Sequence, residues 1–235
     1  MHKITVTALC ALLAFGSALA EEEGPWSGKA SLGYLATSGN TENSTLNSAF
    51  EIHYVRSSWE HALTLKAVQA SEEEDTTAEA YEAGWKSEYN LSDTDFLFAR
   101  VGWRKDRFSG YDTQSTQSVG YGRRLLKTER HELNAEAGAG ARQSTLADDT
   151  EEDEFIVRGG LDYRFIISEN AEFNQEVSIE SGGENTYIES ISAVKASLIG
   201  NLALVASFTV KNNSDVPVGS EKTDTFTAIS LEYAF

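Results

Sequence analysis

The stretch that decides the fold runs from Thr225 to Phe235 and reads TFTAISLEYAF. Its odd positions, such as Ile229 and Leu231, are mostly apolar. Its even positions are smaller or more polar, with the exception of Phe226. A period of two predicts a β-strand that has one apolar face and one mixed face.

The end of this strand carries a second signal. Phe235 is an aromatic residue at the final position, and Tyr233 lies two residues before it. This arrangement resembles the C-terminal signature of bacterial outer-membrane β-barrels, so we interpret Tyr233 and Phe235 as an assembly signal. A soluble β-sandwich can also end on a strand, and it remains an alternative at this point.

The first 20 residues have the features of a cleaved signal peptide. Lys3 supplies a basic start, residues 4–15 are apolar, and Ala18-Leu19-Ala20 fits a cleavage site. The apolar run is too short to span a membrane as a helix. We therefore expect residues 21–235 to form the exported domain. Cys10 lies in the signal segment, so this domain uses no disulfide.

The charge of the chain limits its partners. Asp and Glu number 37 against 19 Lys and Arg, and the formal net charge is −18. Such a chain repels polyanions, so nucleic acid is excluded as a partner bound through its phosphates.

Eleven further segments repeat the alternation of the closing strand, which gives twelve in all. All are bounded by polar or turn-forming residues. Their apolar faces span Trp26–Ala36, Leu46–Tyr54, Trp59–Ala67, Tyr81–Tyr89, Leu97–Trp103, Val119–Leu125, Leu133–Ala141, Phe155–Phe165, Phe173–Ile179, Ile188–Leu198, Leu204–Val210 and Thr227–Phe235.

The predicted connections alternate between short and long. Short ones lie near residues 57–58, 91–95, 127–130, 168–170 and 200–201. Longer polar ones lie near residues 38–43, 71–77, 107–113, 143–152, 182–186 and 212–222. An even strand number with this alternation predicts an all-β fold, a twelve-stranded antiparallel transmembrane β-barrel with short periplasmic turns and longer outer loops.

Charged residues of both signs recur on the mixed faces. In a barrel they line a wet lumen, whereas in a sandwich they face solvent, so they do not decide between the two. The residues that we predict at mid-height of the lumen are Lys66, Arg100, Arg104, Glu136, Arg158 and Glu176. Aromatic residues near the short-turn ends predict an interfacial girdle: Trp26, Tyr54, Trp59, Tyr89, Tyr163, Phe165, Phe173, Tyr233 and Phe235.

Three stretches together carry a family resemblance. They are residues 26–42, the run DRFSGYD at residues 106–112, and the closing strand. The sequence resembles a bacterial family of unknown function, some of whose members are described as salt-induced outer-membrane proteins. The resemblance covers nearly the whole mature chain. It implies an outer-membrane barrel and implies no reaction, cofactor or catalytic residue.

The run at residues 106–112 is predicted to be a loop on the long side. Gly110 permits a turn, Phe108 and Tyr111 are placed to pack on the rim, and Arg107 has acidic neighbours on both sides. A loop-packing element and a loop that narrows a pore both fit this pattern. The residues of this motif are Asp106, Arg107, Phe108, Gly110, Tyr111 and Asp112.

Candidate chemistry is sparse. His61 lies on an apolar face, as the base of a lipid-modifying enzyme would, but no nucleophile and orienting group are seen with it. The acidic runs at residues 72–75 and 148–154 are predicted to be solvated loops that concentrate cations. Gly120, Gly122, Gly138 and Gly140 are interpreted as room for long inward side chains. No catalytic, cofactor or metal site is predicted.

We therefore expect a monomeric outer-membrane barrel that is a narrow charged channel or a structural, salt-stress envelope protein. Its expected partners are membrane lipid, lipopolysaccharide and the barrel-assembly machinery, the last through the C-terminal strand. Two alternatives stay open. One is a lipid-modifying enzyme on the same barrel, and the other is a soluble periplasmic β-sandwich that binds a partner.

Overall fold

A computed structural model describes residues 24–37, 43–72, 75–106, 111–146, 148–216 and 221–235. It contains twelve strands that form one closed, fully antiparallel barrel, which confirms the predicted fold class. The strands are β1 (Trp26–Thr37), β2 (Asn43–Arg56), β3 (Trp59–Glu72), β4 (Asp75–Asn90), β5 (Asp95–Asp106), β6 (Tyr111–Lys127), β7 (His131–Leu146), β8 (Glu151–Ser168), β9 (Ala171–Ser181), β10 (Thr186–Ile199), β11 (Leu202–Asn213) and β12 (Thr223–Ala234).

The barrel closes where its first and last strands pair. The β1–β12 register runs from Lys29 opposite Ala234 to Leu32 opposite Leu231. Beyond it, the backbone N–H of Phe235 donates to the Gly28 carbonyl at 2.9 Å, and the Gly28 N–H donates back at 2.8 Å. Closure leaves no open sheet edge. None of the described residues forms a helix that is long and apolar enough to span a membrane.

The two faces of the sheet differ as the alternation predicts. On β5, the outward Leu97 and Val101 are 46% and 44% exposed, whereas the inward Phe98 is 3% exposed. The outer surface is thus apolar around the ring, while charged side chains point inward. A continuous exposed apolar surface of this kind is unfavourable in water and marks contact with another apolar phase.

The five short connections lie where they were predicted. They comprise residues 57–58, 91–94, 128–130, 169–170 and 200–201. Ser57 and Gly200 have φ angles of 55° and 53°, the left-handed conformation that tight turns require. The chain termini of the barrel lie at this short-turn end.

The opposite, long-loop end differs from the prediction. Several strands continue into the expected loops, so that only residues 73–74 separate β3 from β4 and only residues 147–150 separate β7 from β8. The reason is that polar residues continue the ladder there, for example Gln143 opposite Asp153 and Thr145 opposite Glu151. Residues 151–154 of the second acidic run are therefore strand and not loop, and the two ends of the barrel differ less than predicted.

The aromatic residues of the short-turn end lie together on the outer face. The rings of Trp26 and Tyr54 are 4.5 Å apart between centroids, and those of Trp59 and Tyr89 are 4.9 Å apart. Trp26 is 59% exposed. This placement agrees with the predicted girdle, although contact with a membrane interface stays a prediction.

Candidate functional site: the barrel lumen

All six predicted lumen residues belong to the inward faces of their strands. They are distributed over β3 (Lys66), β5 (Arg100, Arg104), β7 (Glu136), β8 (Arg158) and β9 (Glu176). Cross-strand register links some of them, since Lys66 is opposite Glu82, which is in turn opposite Arg104. They do not form one cluster, because they are spread over five strands.

Two side-chain bridges cross the lumen in its long-loop half. The Lys211 ammonium of β11 forms an ion pair with Glu82 of β4, although β12, β1, β2 and β3 lie between these strands. The Arg104 guanidinium of β5 lies 3.6 Å from the ring centroid of Tyr187 of β10, with β6 to β9 between them. We call these four residues the crossbar.

The crossbar is held in place at both ends. Arg104 Nε donates to Gln114 Oε1 at 2.6 Å, and Lys211 Nζ lies 3.9 Å from Glu189 Oε1. A cavity of about 20 Å³, which holds about one water molecule, lies beside the bridges and is lined in part by all four crossbar residues. The bridges themselves narrow the lumen at this level.

A second cluster of charges lies against the wall formed by β7, β8 and β9. Arg142 is fully buried, and its Nε donates to Glu154 Oε1 at 2.8 Å. Arg158 Nη1 donates to Glu180 Oε1 at 2.6 Å. Arg142 also donates to the backbone carbonyl of Asn185, which ties the β9–β10 connection to the lumen wall. Breaking such a buried pair leaves an uncompensated charge, so the loss of one partner is expected to destabilise this wall.

Aromatic rings fill the short-turn half of the same side. A Cβ built on Gly120 would lie 2.6 Å from Phe98 Cζ, and one built on Gly122 would lie 2.8 Å from Phe96 Cε1. The guanidinium of Arg124 lies 4.9 Å from the Phe96 ring centroid. The interpretation as room for long inward side chains therefore holds for Gly120 and Gly122, whereas a Cβ on Gly140 would meet the backbone of β6 at Gln117.

The remaining lumen charges are mostly paired with a neighbour. Near the short-turn end, Lys86 lies 2.7 Å from Glu88 and also pairs with Glu136. Further ion pairs of this end join Lys29 to Glu51 at 3.0 Å, Arg164 to Glu132 and to Glu172 at 3.1 Å each, and Lys195 to Glu232 at 2.8 Å.

Several lumen residues were missed from the sequence. Phe96, Phe98, Ile156 and Tyr187 are all buried on inward faces that we predicted only as mixed. The alternation of positions along each strand already places these residues on the inward face. The nearby glycines indicate that bulky rings occupy the space beside them. The crossbar has no such signal, because its partners come from strands far apart in the chain.

The predicted loop motif is described only in part. Arg107, Phe108 and Gly110 lie outside the described residues, whereas Asp106 ends β5 and Tyr111 begins β6. Tyr111 is 5% exposed, and its hydroxyl donates to the Asp215 carbonyl at 3.2 Å. The tyrosine therefore links the start of β6 to the β11–β12 connection, as a rim-packing residue would. Lys105 and Asp112 are joined by an ion pair at 3.4 Å.

The described histidines contact aromatic or acidic groups. His61 stacks on Trp59 at 5.7 Å and on Trp85 at 6.0 Å between ring centroids. His53 contacts Glu51 in the lumen, and His131 Nδ1 lies 2.9 Å from the Tyr163 hydroxyl. His61 therefore sits in an outer aromatic cluster, which is the surrounding of an interfacial residue.

Acidic groups mark the long-loop mouth. Asp148 lies in the turn between β7 and β8, and its Oδ1 accepts the Thr150 backbone N–H at 3.0 Å. Hydrogen bonds from the hydroxyl and the backbone of Thr150 lower the pKa of Asp148 below its usual value. This carboxylate therefore stays charged over a wide pH range.

The sequence profile of a family described as "Protein of unknown function, DUF481" matches residues 30–235. The chain belongs to this family. One similar protein is the "Uncharacterized protein YdiY" of Escherichia coli K12, which is 32% identical over 211 residues. The match covers 89% of this chain and 83% of that protein. The family and the relative confirm the resemblance read from the sequence.

Solved structures with a similar fold are outer-membrane barrels. The COG4313 outer membrane channel from Pseudomonas putida F1 has a TM-score of 0.57 at 11% identity and covers 94% of this chain and 98% of its own. The translocator domain of autotransporter NalP from Neisseria meningitidis has a TM-score of 0.52 at 12% identity, covering 97% and 95%. The NanC porin has a TM-score of 0.52 at 9% identity, covering 88% and 97%. At this identity the likeness concerns the fold alone, which is an outer-membrane-type barrel.

Proposed function

We propose that this protein resides in the outer membrane and forms a narrow channel for small hydrophilic solutes. Lipid and lipopolysaccharide cover its apolar outer face, and the strand that ends on Tyr233 and Phe235 is the segment that the assembly machinery binds. The similarity to channels and porins supports this choice over a lipid-modifying enzyme or a soluble sandwich.

The crossbar is the observation that carries the proposal. It narrows the lumen through two side-chain contacts, Glu82–Lys211 and Arg104–Tyr187, and not through a folded-in strand or helix of the described residues. Side chains that cross a wet lumen limit the size of a solute without sealing the barrel permanently. A lumen that side chains cross in this way favours ions and small solutes.

The charge of the lumen and its mouth favours cations. Acidic residues outnumber basic ones in the whole chain by 37 to 19. Asp148 and its acidic neighbours lie in the β7–β8 turn at the long-loop mouth, where fixed negative charges raise the local concentration of cations. We expect weak cation selectivity and not strict exclusion of anions, because ion pairs line both ends of the lumen.

The test measures the conductance of the purified barrel in planar bilayers. Wild-type protein is expected to give small KCl currents, and Lys211→Ala is expected to raise the single-channel conductance about twofold or more because it removes one bridge. Lys29→Ala is the matched control, since it also removes one lysine from a lumen ion pair but lies near the short-turn end.

Two results would contradict the proposal. Equal conductance gains in both lysine variants would show that charge, and not the crossbar, limits the current. If neither the wild type nor Lys211→Ala conducted at any salt concentration, the protein would not be a channel. A structural role in the envelope would then remain, with which the buried ion pairs of β7 to β9 are also compatible.

A further inference from the structure

Four lumen charges stand apart from the ion-pair network. Lys66, Arg100, Asp162 and Glu176 each lie near the middle of their strands. Within the described residues, none of their charged atoms lies within 4 Å of an opposite charge, and none of these side chains makes a hydrogen bond. Most neighbouring lumen charges are paired, so these four are available to a solute.

The four charges are sorted by sign on two walls. The cations belong to β3 and β5, and the acids to β8 and β9, where Asp162 is directly opposite Glu176 in the register. Strands β3 and β9 are opposite each other, with five strands between them in either direction around the ring, whereas β5 and β8 are separated by β6 and β7. Lys66 interacts electrostatically with Glu189 and Glu82 and, more weakly, with Glu176 across the lumen. Asp162 interacts with Glu176 and Lys86 and, more weakly, with Arg100.

Open space lies beside the cationic wall. Gly84 and Gly102 are opposite each other on β4 and β5, and a Cβ built on Gly84 would meet no atom within 4 Å. Thr64 and Thr116 continue this row of small residues on the flanking strands. Arg100 adjoins the row, and its Nε is buried without a hydrogen-bond partner. An unsatisfied buried donor next to free volume is a place where a ligand oxygen is stabilised.

We propose that the space between these walls, which we call the chamber, is a selectivity site for small zwitterionic solutes that carry one carboxylate and one ammonium. The carboxylate faces Lys66 and Arg100, and the ammonium faces Asp162 and Glu176. This inference rests on the proposed channel function and deepens it, because it names the solute class.

A zwitterion differs from simple ions and from uncharged solutes in how its charges match the two walls. The chamber holds two free positive and two free negative charges, so a solute with both charges complements both walls without changing the net charge. A simple anion or cation complements one wall and meets repulsion from the other. An uncharged polar solute compensates neither wall, so its entry gains nothing from the field between them.

The test uses liposomes that contain the full refolded barrel and compares two isomeric solutes. Glycine and glycolamide have the same atoms, but only glycine is a zwitterion. We expect glycine to enter about threefold faster, measured as the initial rate of osmotic swelling, because the field of the chamber acts on its charges alone. The KCl conductance of the same preparation reports the channel independently.

Variants assign the effect to residues. Arg100→Gln and Glu176→Gln are expected to bring the glycine-to-glycolamide ratio close to one. Glu60→Gln is the control, because it removes a charge at the short-turn end of β3, outside the chamber, and is expected to keep the wild-type ratio. Glu176 is exposed, so its variant remains informative if Arg100→Gln does not assemble.

Each outcome decides a different point. A glycine-to-glycolamide ratio near one in a wild type that conducts would contradict the proposed selectivity of the chamber and leave the proposed channel intact. A wild-type preference that both glutamine variants retain would overturn the assignment to these residues. Absence of both KCl current and swelling would overturn the channel and the chamber together.

Discussion

Two sides of the barrel share a backbone geometry and differ in what holds them together. One is the packed wall, which we define as β5 to β8, and the other is the seam, where β12 meets β1. Aromatic rings and buried ion pairs fill the inner face of the packed wall, including Phe96, Phe98 and the fully buried Arg142. The seam depends mainly on a short ladder of backbone hydrogen bonds.

The length of the ladder shows the weakness of the seam. Strand β1 pairs with β2 from Trp26 to Thr37, but its register with β12 runs only from Lys29 to Leu32. Where that register stops, Asn47 Nδ2 of β2 donates to Ser230 Oγ of β12 at 2.8 Å. The bond passes over Gly33 of β1, where a Cβ would lie 2.7 Å from Ser230 Oγ.

The comparison shows that the closure of a sheet and its stability depend on different interactions. Backbone pairing closes the ring everywhere, but inward side chains decide which part of the ring resists opening. The packed wall has them in quantity, whereas the described residues of the seam supply one side-chain bridge and the contacts of Phe235. The seam is therefore the side on which small changes have large consequences.

The largest expected effect comes from removing Phe235. The deletion eliminates both hydrogen bonds with Gly28 and removes the ring that lies 6.2 Å from the Phe50 centroid. We expect most of the protein to fail to reach the folded, heat-modifiable form in outer-membrane fractions. Phe235→Trp keeps the backbone bonds and an aromatic ring, and serves as the control. Normal assembly of the deletion variant would show that neither the seam nor the terminal signal needs this residue.

The contrast also explains what the sequence could predict. Alternation in a strand such as β12 is local, so twelve strands, five short turns and the inward placement of residues such as Arg100 follow from it. Loop lengths do not follow, because polar residues such as Gln143 and Asp153 fit a loop or a solvated strand extension equally well. The Lys211–Glu82 bridge could not be predicted from the sequence for another reason, because it depends on how the barrel closes and not on any local pattern.

An intermediate effect is expected from filling the packed wall. Gly122→Leu forces a side chain into the space of the Phe96 ring, and overpacking of this kind costs about 1–3 kcal/mol of unfolding free energy. Gly84→Leu is the matched control, because it makes the same change on an inward face where a Cβ meets nothing within 4 Å. The measurement is urea unfolding of the refolded barrel. Equal losses in both variants would mean that the rings of the packed wall are not the constraint.

The smallest expected effect tests the side-chain bridge of the seam. Asn47→Ala removes the bond to Ser230, which is worth about 1 kcal/mol, so the β1 amides beyond Leu32 should exchange their hydrogens about fivefold faster. Ser44→Ala on the same strand is the control, because its 2.8 Å bond to Ser71 lies between β2 and β3, where the ladder is complete. Its removal should leave exchange at the seam unchanged. If the two variants accelerate exchange of the β1 amides equally, the bridge has no special role, and the short ladder alone sets the opening of the barrel.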